Sequence, residues 1–120
     1  MSRDKQRLID YLNHILEAIH RIQHYVEDID EPTFLAHELI QDAVIRNLEI
    51  IGEASRNISK HYPDYVAENA SVPFLTAYEM RNALAHGYFS VDQEVVWKTI
   101  ERDLPDLEVM IASLLKEQTD

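Results

Sequence analysis

Hydrophobic side chains recur every three or four positions along most of the chain, the spacing that gathers them on one face of an α-helix. The first run of this kind covers residues 4–29 and predicts a long amphipathic helix. Asp30 and Thr33 are candidate N-caps and Pro32 suits a first helical turn, so a second helix is expected to begin there and to end near Ser59. The pattern therefore predicts two long helices joined by a very short connection.

The second half of the chain begins with a break in this pattern. Residues 60–73 contain two prolines and several polar residues, and they are expected to form a loop with at most one irregular turn. A short third helix is expected from Pro73 to His86, followed by Gly87 as its left-handed C-terminal residue.

Start signals after that glycine predict a final helix. Ser90 has capping-box spacing to Gln93, and Asp92 is a rival N-cap. The helix is expected to reach about Lys116 and to be kinked at Pro105, because proline has no backbone N–H to donate.

Composition supports an all-helical fold. The 120 residues include only two glycines and four prolines, too few for the chain reversals of an all-β sandwich or barrel. A chain of this length normally forms one domain, so residues 1–120 are expected to fold together. Because short links favour antiparallel neighbours, the predicted architecture is an all-α, up-and-down four-helix bundle.

Charge and cysteine content narrow the classes of function. The chain has no cysteine, which excludes disulfide frameworks, thiolate metal ligands and cysteine nucleophiles. It has no secretory signal and no run of about 20 apolar residues, so a soluble cytoplasmic protein without membrane contact is expected. The formal net charge of −11 should repel polyanions at long range, so any nucleic-acid site must be small.

Candidate chemistry lies on the third predicted helix. Arg81 falls in the middle of its apolar stripe, where it needs an acidic partner such as Glu53, a subunit boundary or a ligand anion. On a second face Glu79, Asn82 and His86 lie close together. Carbonyls at the helix end favour the charged imidazole of His86, which suits a proton donor. Solvent-facing polarity and simple helix capping explain the same residues equally well.

The second predicted helix carries further candidates. Asn47 lies on its apolar face, where a buried amide must be hydrogen-bonded, and it is expected to bridge helices. A neighbouring polar face has charges of alternating sign, which indicates a solvated, mutually paired surface. That face consists of Arg46, Glu49, Glu53, Arg56 and Lys60. Arg46, Asn47 and Glu53 are retained as supporting site candidates.

Metal binding is not predicted. His20 and His24 have i, i+4 spacing on the first helix, but no carboxylates accompany them in a defined arrangement. A surface interpretation is therefore preferred, and the sequence predicts neither a metal nor a cofactor.

The segment from Arg81 to Tyr88 reads R-N-x3-H-x-Y and resembles the R-x4-H-x-Y motif of HepT-like toxins in the HEPN superfamily. Two further stretches look like the second-helix and last-helix signatures of that family. They are AVIRNLEIIGEA at residues 43–54 and YFSVDQEVVWKTIERDLPDLE at residues 88–108. An R-x4-H string alone is a weak signal, but three signatures in this order cover most of the chain after residue 35.

The resemblance implies a metal-independent endoribonuclease, the toxin of a toxin–antitoxin pair, with Arg81 and His86 at the core of its site. It implies an RNA substrate and a homodimer whose interface forms the catalytic cleft. It also implies a partner, a minimal nucleotidyltransferase called MntA, which neutralises such toxins by transferring AMP to the tyrosine that corresponds to Tyr88. Asn82 would orient the scissile phosphate or His86.

The spacing of the motif fits a site made by two copies of the chain. Arg81 and His86 are five residues apart, about 140° around one helix, so they do not share a face. Two antiparallel copies across a two-fold axis would bring four such side chains into one cleft. Two other hypotheses stay open: a non-catalytic dimer that binds a nucleotide or docks the nucleotidyltransferase, and an interaction bundle in which Arg81 is salt-bridged.

Overall fold

The computed structural model describes residues 3–74, 76–80 and 91–119, and all regular structure in those ranges is helical. The all-α prediction is confirmed for this part of the chain. The helices are α1 (Arg3–Val26), α2 (Glu31–Leu35), α3 (Glu38–His61), α4 (Pro63–Glu68), α5 (residues 76–80), α6 (Gln93–Lys98) and α7 (Leu104–Thr119). A π-helical turn, Thr99–Asp103, joins α6 to α7.

Helix α1 packs against both α3 and α7 and runs antiparallel to each. Tyr62, directly after α3, donates a hydrogen bond from its hydroxyl to the backbone carbonyl of Asp4 at the start of α1. At the other end of α1, the Nε2 atom of His20 lies 2.8 Å from a carboxylate oxygen of Glu108, near the start of α7. The completely buried aliphatic side chains of these three helices are Leu12, Ile15, Ala18, Ile19, Ile22, Val44, Ile58 and Ile111.

The start of α2 confirms the predicted cap. The Asp30 carboxylate accepts a hydrogen bond from the backbone N–H of Thr33 at 3.0 Å, and Pro32 lies in the first turn. Hydrogen bonds from Thr33, through its side chain first and its backbone second, lower the pKa of Asp30 from its ordinary value of 3.8. This cap therefore stabilises the fold above the unfolded-state pKa of Asp30, and the contribution is lost as the pH falls through the folded-state pKa.

The prediction of one continuous second helix is wrong, because hydrogen bonds between α2 and α3 hold a break after Leu35. The buried amide of Gln41 donates from Nε2 to the backbone carbonyls of Phe34 at 2.9 Å and Leu35 at 3.1 Å. The Nδ1 atom of His37 accepts a hydrogen bond from the N–H of Ile40 at 3.3 Å and caps α3. These bonds satisfy backbone groups at the end of α2 and the start of α3 without any glycine or proline at the break.

Two other helix boundaries differ from the sequence prediction. Helix α1 ends at Val26 rather than at residue 29, since the N–H of Ile29 bonds to the Val26 carbonyl at 3.2 Å in a turn. Ile29 lies in that turn, yet its side chain still packs against the core. An apolar residue at this position therefore does not show that the helix continues. Helix α3 extends to His61, and α4 occupies part of the predicted loop, with Pro63 in its first turn.

The last helical stretch begins at the rival cap and is irregular near Pro105. The Asp92 carboxylate accepts hydrogen bonds from the N–H groups of Glu94 at 2.9 Å and Val95 at 3.4 Å, whereas Ser90 lies outside the described residues. A kink is predicted at Pro105, and the structure has a π-helical turn that ends two residues before this proline. The stretch continues to Thr119, three residues beyond the predicted end.

Aromatic packing ties α2 to α6. The rings of Phe34 and Trp97 lie with centroids 5.2 Å apart, and both side chains are buried in the core. In the described ranges, no helix combines the length and the apolar character that crossing a bilayer would require.

Replacing Gln41 with Ala should destabilise the fold by about 1–3 kcal/mol, because the carbonyls of Phe34 and Leu35 lose their buried side-chain donor. Chemical denaturation followed by circular dichroism measures the change. Gln6→Ala is the matched control: that exposed glutamine bonds to Asp10 on the surface at 3.0 Å, and its loss should cost less than about 0.5 kcal/mol. Equal effects of the two substitutions would contradict the role assigned to Gln41.

Candidate functional site

The predicted catalytic segment lies between two described parts of the chain. Four site candidates fall outside the described residues, and their roles remain predictions: Arg81, Asn82, His86 and Tyr88. The nearest described residues are Met80 before this segment and Val91 after it, and both pack against the hydrophobic core. The core therefore anchors the chain on either side of the motif.

Helix α5 leads into the motif from the expected starting point. The backbone N–H of Ala77 donates to the carbonyl of Pro73 at 3.0 Å, as in a first helical turn. Ala77 and Met80 face an apolar groove of about 290 Å³ that also involves side chains of α3 and α7. Its lining is mainly aliphatic and thioether groups, with Asp103 and Asp106 among the few charged residues, so it offers little chemistry for proton transfer.

Arg46 and Glu53, two of the supporting candidates, take part in ion pairs along α3. The Nη1 atom of Arg46 lies 3.9 Å from an oxygen of Glu49, and the Nη1 atom of Arg56 lies 3.7 Å from an oxygen of Glu53. The interpretation of this face as a mutually paired surface is confirmed for these four side chains. Exposed pairs of this kind contribute only about 0–1 kcal/mol, so they hold the side chains weakly.

The same two candidates line a cleft between α3 and α1. Its volume is about 350 Å³, and its polar lining comprises Tyr11, His14, Arg46, Glu49, Glu53 and Asn57. The rings of Tyr11 and His14 meet edge to face, with centroids 6.4 Å apart and an interplanar angle of 73°. The structure thus brings Arg46 and Glu53 together with an imidazole, a phenol and an amide, which can hydrogen-bond to a polar ligand.

Tyr11 also lines a second cleft nearer the start of α1. This cleft has a volume of about 320 Å³, and its other lining residues are Asp4, Arg7, His61 and Tyr62. Burial raises the pKa of the Tyr62 hydroxyl, and the charge of Asp4 adds to the effect. The Tyr62 hydroxyl is therefore neutral at neutral pH, and it donates a hydrogen bond to the Asp4 carbonyl.

Asn47 is buried, as predicted, and within the described residues its side chain bonds to its own helix rather than to a neighbouring one. Its Nδ2 atom donates to the carbonyl of Ala43, four residues earlier on the same helix, at 2.9 Å. Its Oδ1 atom is buried and has no hydrogen-bond partner among the described residues. A serine or asparagine side chain often bonds back to its own helix in this way, which a sequence pattern does not reveal.

The paired histidines of α1 contact carboxylates individually. The Nε2 atom of His20 lies 2.8 Å from Glu108, which also accepts a bond from Gln23 at 3.1 Å. The Nδ1 atom of His24 lies 3.4 Å from Glu27. Among residues 3–74, 76–80 and 91–119, no three histidine or carboxylate side chains are grouped so that they could hold a metal ion.

The cleft also contains three residues that the sequence pattern does not predict: Tyr11, His14 and Asn57. The spacing of Tyr11 and His14 does place them on one side of α1. However, the residues of α3 that face them depend on how the two helices align, and periodicity within each helix carries no information about that alignment.

Comparison with known proteins identifies the family of this chain. The chain belongs to the HepT-like family: the family described as "Ribonuclease HepT-like" matches residues 15–114. The resemblance noted from three sequence signatures is confirmed.

Relatives of this family are similar over most of the chain. A "Probable ribonuclease HepT" of Thermococcus cleftensis is 42% identical over 107 residues, which cover 89% of this chain and 94% of that protein. A "Putative RNase" of Caldanaerobacter subterraneus subsp. tengcongensis is 32% identical over 108 residues, covering 90% and 94%.

A longer relative matches through only part of its length. The "Gamma-glutamylcyclotransferase and putative RNase" of Methanocaldococcus jannaschii is 38% identical over 107 residues, or 89% of this chain. The chain spans about half of that protein, 47% of its length. No solved structure gives a significant match.

Asn47→Leu should leave the stability unchanged or raise it slightly, because it removes a buried amide oxygen that lacks a partner. Asn47→Asp, which keeps the shape but adds a buried charge, should cost several kcal/mol at neutral pH and recover in acid. Thermal denaturation at two pH values measures both variants. A loss of more than about 1 kcal/mol in Asn47→Leu would show that the Oδ1 atom does have a stabilising partner.

Proposed function

We propose that this protein is a metal-independent endoribonuclease that acts as the toxin of a toxin–antitoxin pair. The R-N-x3-H-x-Y segment carries the proposal, since it lies inside the region that matches the HepT-like ribonuclease family. Arg81 and His86 are the proposed catalytic pair. Membership of the family and the ribonuclease names of its relatives support the reaction class.

The proposed reaction uses the RNA itself as nucleophile. The ribose 2′-oxygen bonds to the adjacent phosphorus while the bond from phosphorus to the 5′-oxygen breaks. A base takes the proton of the 2′-hydroxyl, and an acid donates a proton to the departing 5′-oxygen. The products are a 2′,3′-cyclic phosphate and a 5′-hydroxyl, so no water, metal or redox partner is consumed.

Histidine and arginine match these requirements. The imidazole of His86 can take either proton role, because its ordinary pKa lies near neutral pH. Arg81 stays charged and can hold two phosphate oxygens, which stabilises the negative charge that develops in the transition state. Asn82 is proposed to orient the phosphate or His86.

The proposed assembly is a homodimer of single-domain chains, each a four-helix bundle formed by residues 1–120. Arg81 and His86 are about 140° apart on one helix, so a second copy is the simplest way to complete a cleft that contains both groups. Met80 and Val91, the described residues nearest the motif on either side, both pack against the core.

Neutralisation is proposed to act at Tyr88. An MntA-like nucleotidyltransferase would transfer AMP from ATP to the phenolic oxygen of Tyr88, which displaces the phenolic proton and releases pyrophosphate. The added nucleotide brings bulk and a negative phosphate two residues from His86. Substrate phosphate would then be excluded by both volume and charge.

Purified protein should cleave total cellular RNA in the presence of a chelator, and His86→Ala should lose at least about 100-fold in rate. His24→Ala, which alters an exposed histidine of α1, is the control and should keep its activity. Light scattering establishes that all three proteins have the mass of a dimer.

Two results would count against the nuclease. If folded dimers of the wild type do not cut RNA, the non-catalytic module that binds a nucleotide or docks the nucleotidyltransferase becomes the better hypothesis. If the chelator abolishes cleavage, the reaction depends on a metal and the proposed mechanism is wrong.

Tyr88→Phe should still cleave RNA, because the phenolic hydroxyl has no part in the proposed proton transfers. With ATP and an MntA-like nucleotidyltransferase, wild-type protein should gain AMP and lose activity, whereas Tyr88→Phe should do neither. Intact-mass spectrometry and RNA cleavage measured on the same samples test this. AMP found on Tyr88→Phe would place the modification elsewhere.

A further inference from the structure

The two clefts that share Tyr11 form one groove between α1 and α3, which we call the seam groove. We propose that the seam groove, which lies outside the catalytic motif, binds a single-stranded segment of the RNA substrate. The inference rests on the proposed ribonuclease function and adds a binding surface on α1 and α3 to it. It starts from the two cavities of about 350 and 320 Å³, which lie along the same side of the α1–α3 pair.

The length of the seam groove suits an extended strand. Along α3 its lining residues run from Arg46 to His61, a distance of about 22 Å at the rise of an α-helix. Antiparallel α1 supplies the facing wall. A surface of this length exceeds the needs of a single mononucleotide and matches a few consecutive nucleotides.

Two tyrosines offer flat faces at separate points of the seam groove. Tyr11 and Tyr62 are both half-buried, and each ring has a neighbour that restricts it. Tyr62 bonds to the Asp4 carbonyl, and Tyr11 packs edge to face with His14. Bases that are not paired in a duplex stack on such rings with little dependence on sequence.

Cations are available for phosphates at both ends of the seam groove. Arg46 lies in one cleft and Arg7 in the other, and a histidine accompanies each of them. Asn57 can donate to and accept from base edges. The groove thus combines two guanidinium groups, aromatic rings and an amide with the carboxylates of Asp4, Glu49 and Glu53.

The carboxylates of the seam groove fit bases better than they fit a bare anion. Glu49 and Glu53 line the first cleft, where a carboxylate can accept hydrogen bonds from exocyclic amino groups. They also keep affinity for polyanions low in a chain of net charge −11. The aliphatic residues that line the first cleft are Ile50 and Ala54.

The test measures binding of a fluorescent single-stranded RNA of about eight nucleotides, 2′-O-methylated so that it cannot be cleaved. Fluorescence anisotropy at low salt gives the Kd for wild type, Tyr11→Leu and Arg46→Gln. Each substitution should weaken binding at least about fivefold, because a stacking surface or a phosphate contact is lost. Tyr11→Phe retains the ring and should bind as the wild type does.

Matched controls come from the later part of α1, beyond the residues that line the seam groove. Tyr25→Leu removes an exposed aromatic ring outside the seam groove, and Arg21→Gln removes an arginine that pairs with Glu17 at 3.8 Å, much as Arg46 pairs with Glu49. Both controls should bind RNA with the wild-type Kd. Circular dichroism establishes that every variant is folded.

Cleavage of a dinucleotide separates this inference from the proposed function. A dinucleotide reaches only the catalytic centre, so Tyr11→Leu should cut it at the wild-type rate while its KM for longer RNA rises. Failure of the wild type to cut the dinucleotide counts against the catalytic proposal alone, since anisotropy needs no turnover.

Three outcomes would overturn the seam groove as an RNA site. Wild-type protein fails to bind the oligonucleotide, or it binds but Tyr11→Leu and Arg46→Gln match it, or these variants become monomers while their RNA affinity is unchanged. The third outcome would assign the groove to contact with a second copy of the chain.

Discussion

The antiparallel packing of α1 against α3 is the constraint on which the described structure depends. Two helices of 24 residues each bury their aliphatic faces together, and α7 covers α1 from another side. Burial of complete side chains such as Ile15 and Ile58 fixes how the helices align, since a shift would open cavities in the core. The alignment of α1 and α3 decides which polar residues face each other beside the core. Core packing therefore determines which residues line the two clefts between these helices.

Hydrogen bonds of side chains let the rest of the chain fit this pair. Gln41 satisfies the carbonyls at the end of α2, and the resulting break directs Phe34 into the core against Trp97. The chain on either side of the proposed catalytic segment is likewise attached, by Met80 before it and by Val91 after it. A few side-chain hydrogen bonds therefore position helices whose stability comes from apolar burial.

Under the proposed function, this acidic protein must bind its RNA substrate locally. With a net charge of −11, long-range attraction cannot bring RNA to the surface, and contacts have to come from a few placed groups. The proposed catalytic pair supplies one cation and one titratable group. The proposed seam groove adds rings and two arginines beside the carboxylates of Asp4, Glu49 and Glu53, so the affinity expected of it is modest.

The sequence by itself determined the helical class and most of the extent of the long helices, and it offered Asp30 and Asp92 among the candidate caps. It also determined the family, because R-N-x3-H-x-Y is a local string. These features are local in the chain, and so is the physics that produces them. Only the tertiary structure decided the break after Leu35, the inward bond of Asn47 to its own helix, and the meeting of Tyr11 with Arg46. Each depends on which side chains become neighbours once the core is packed, and no periodicity along a single helix encodes that.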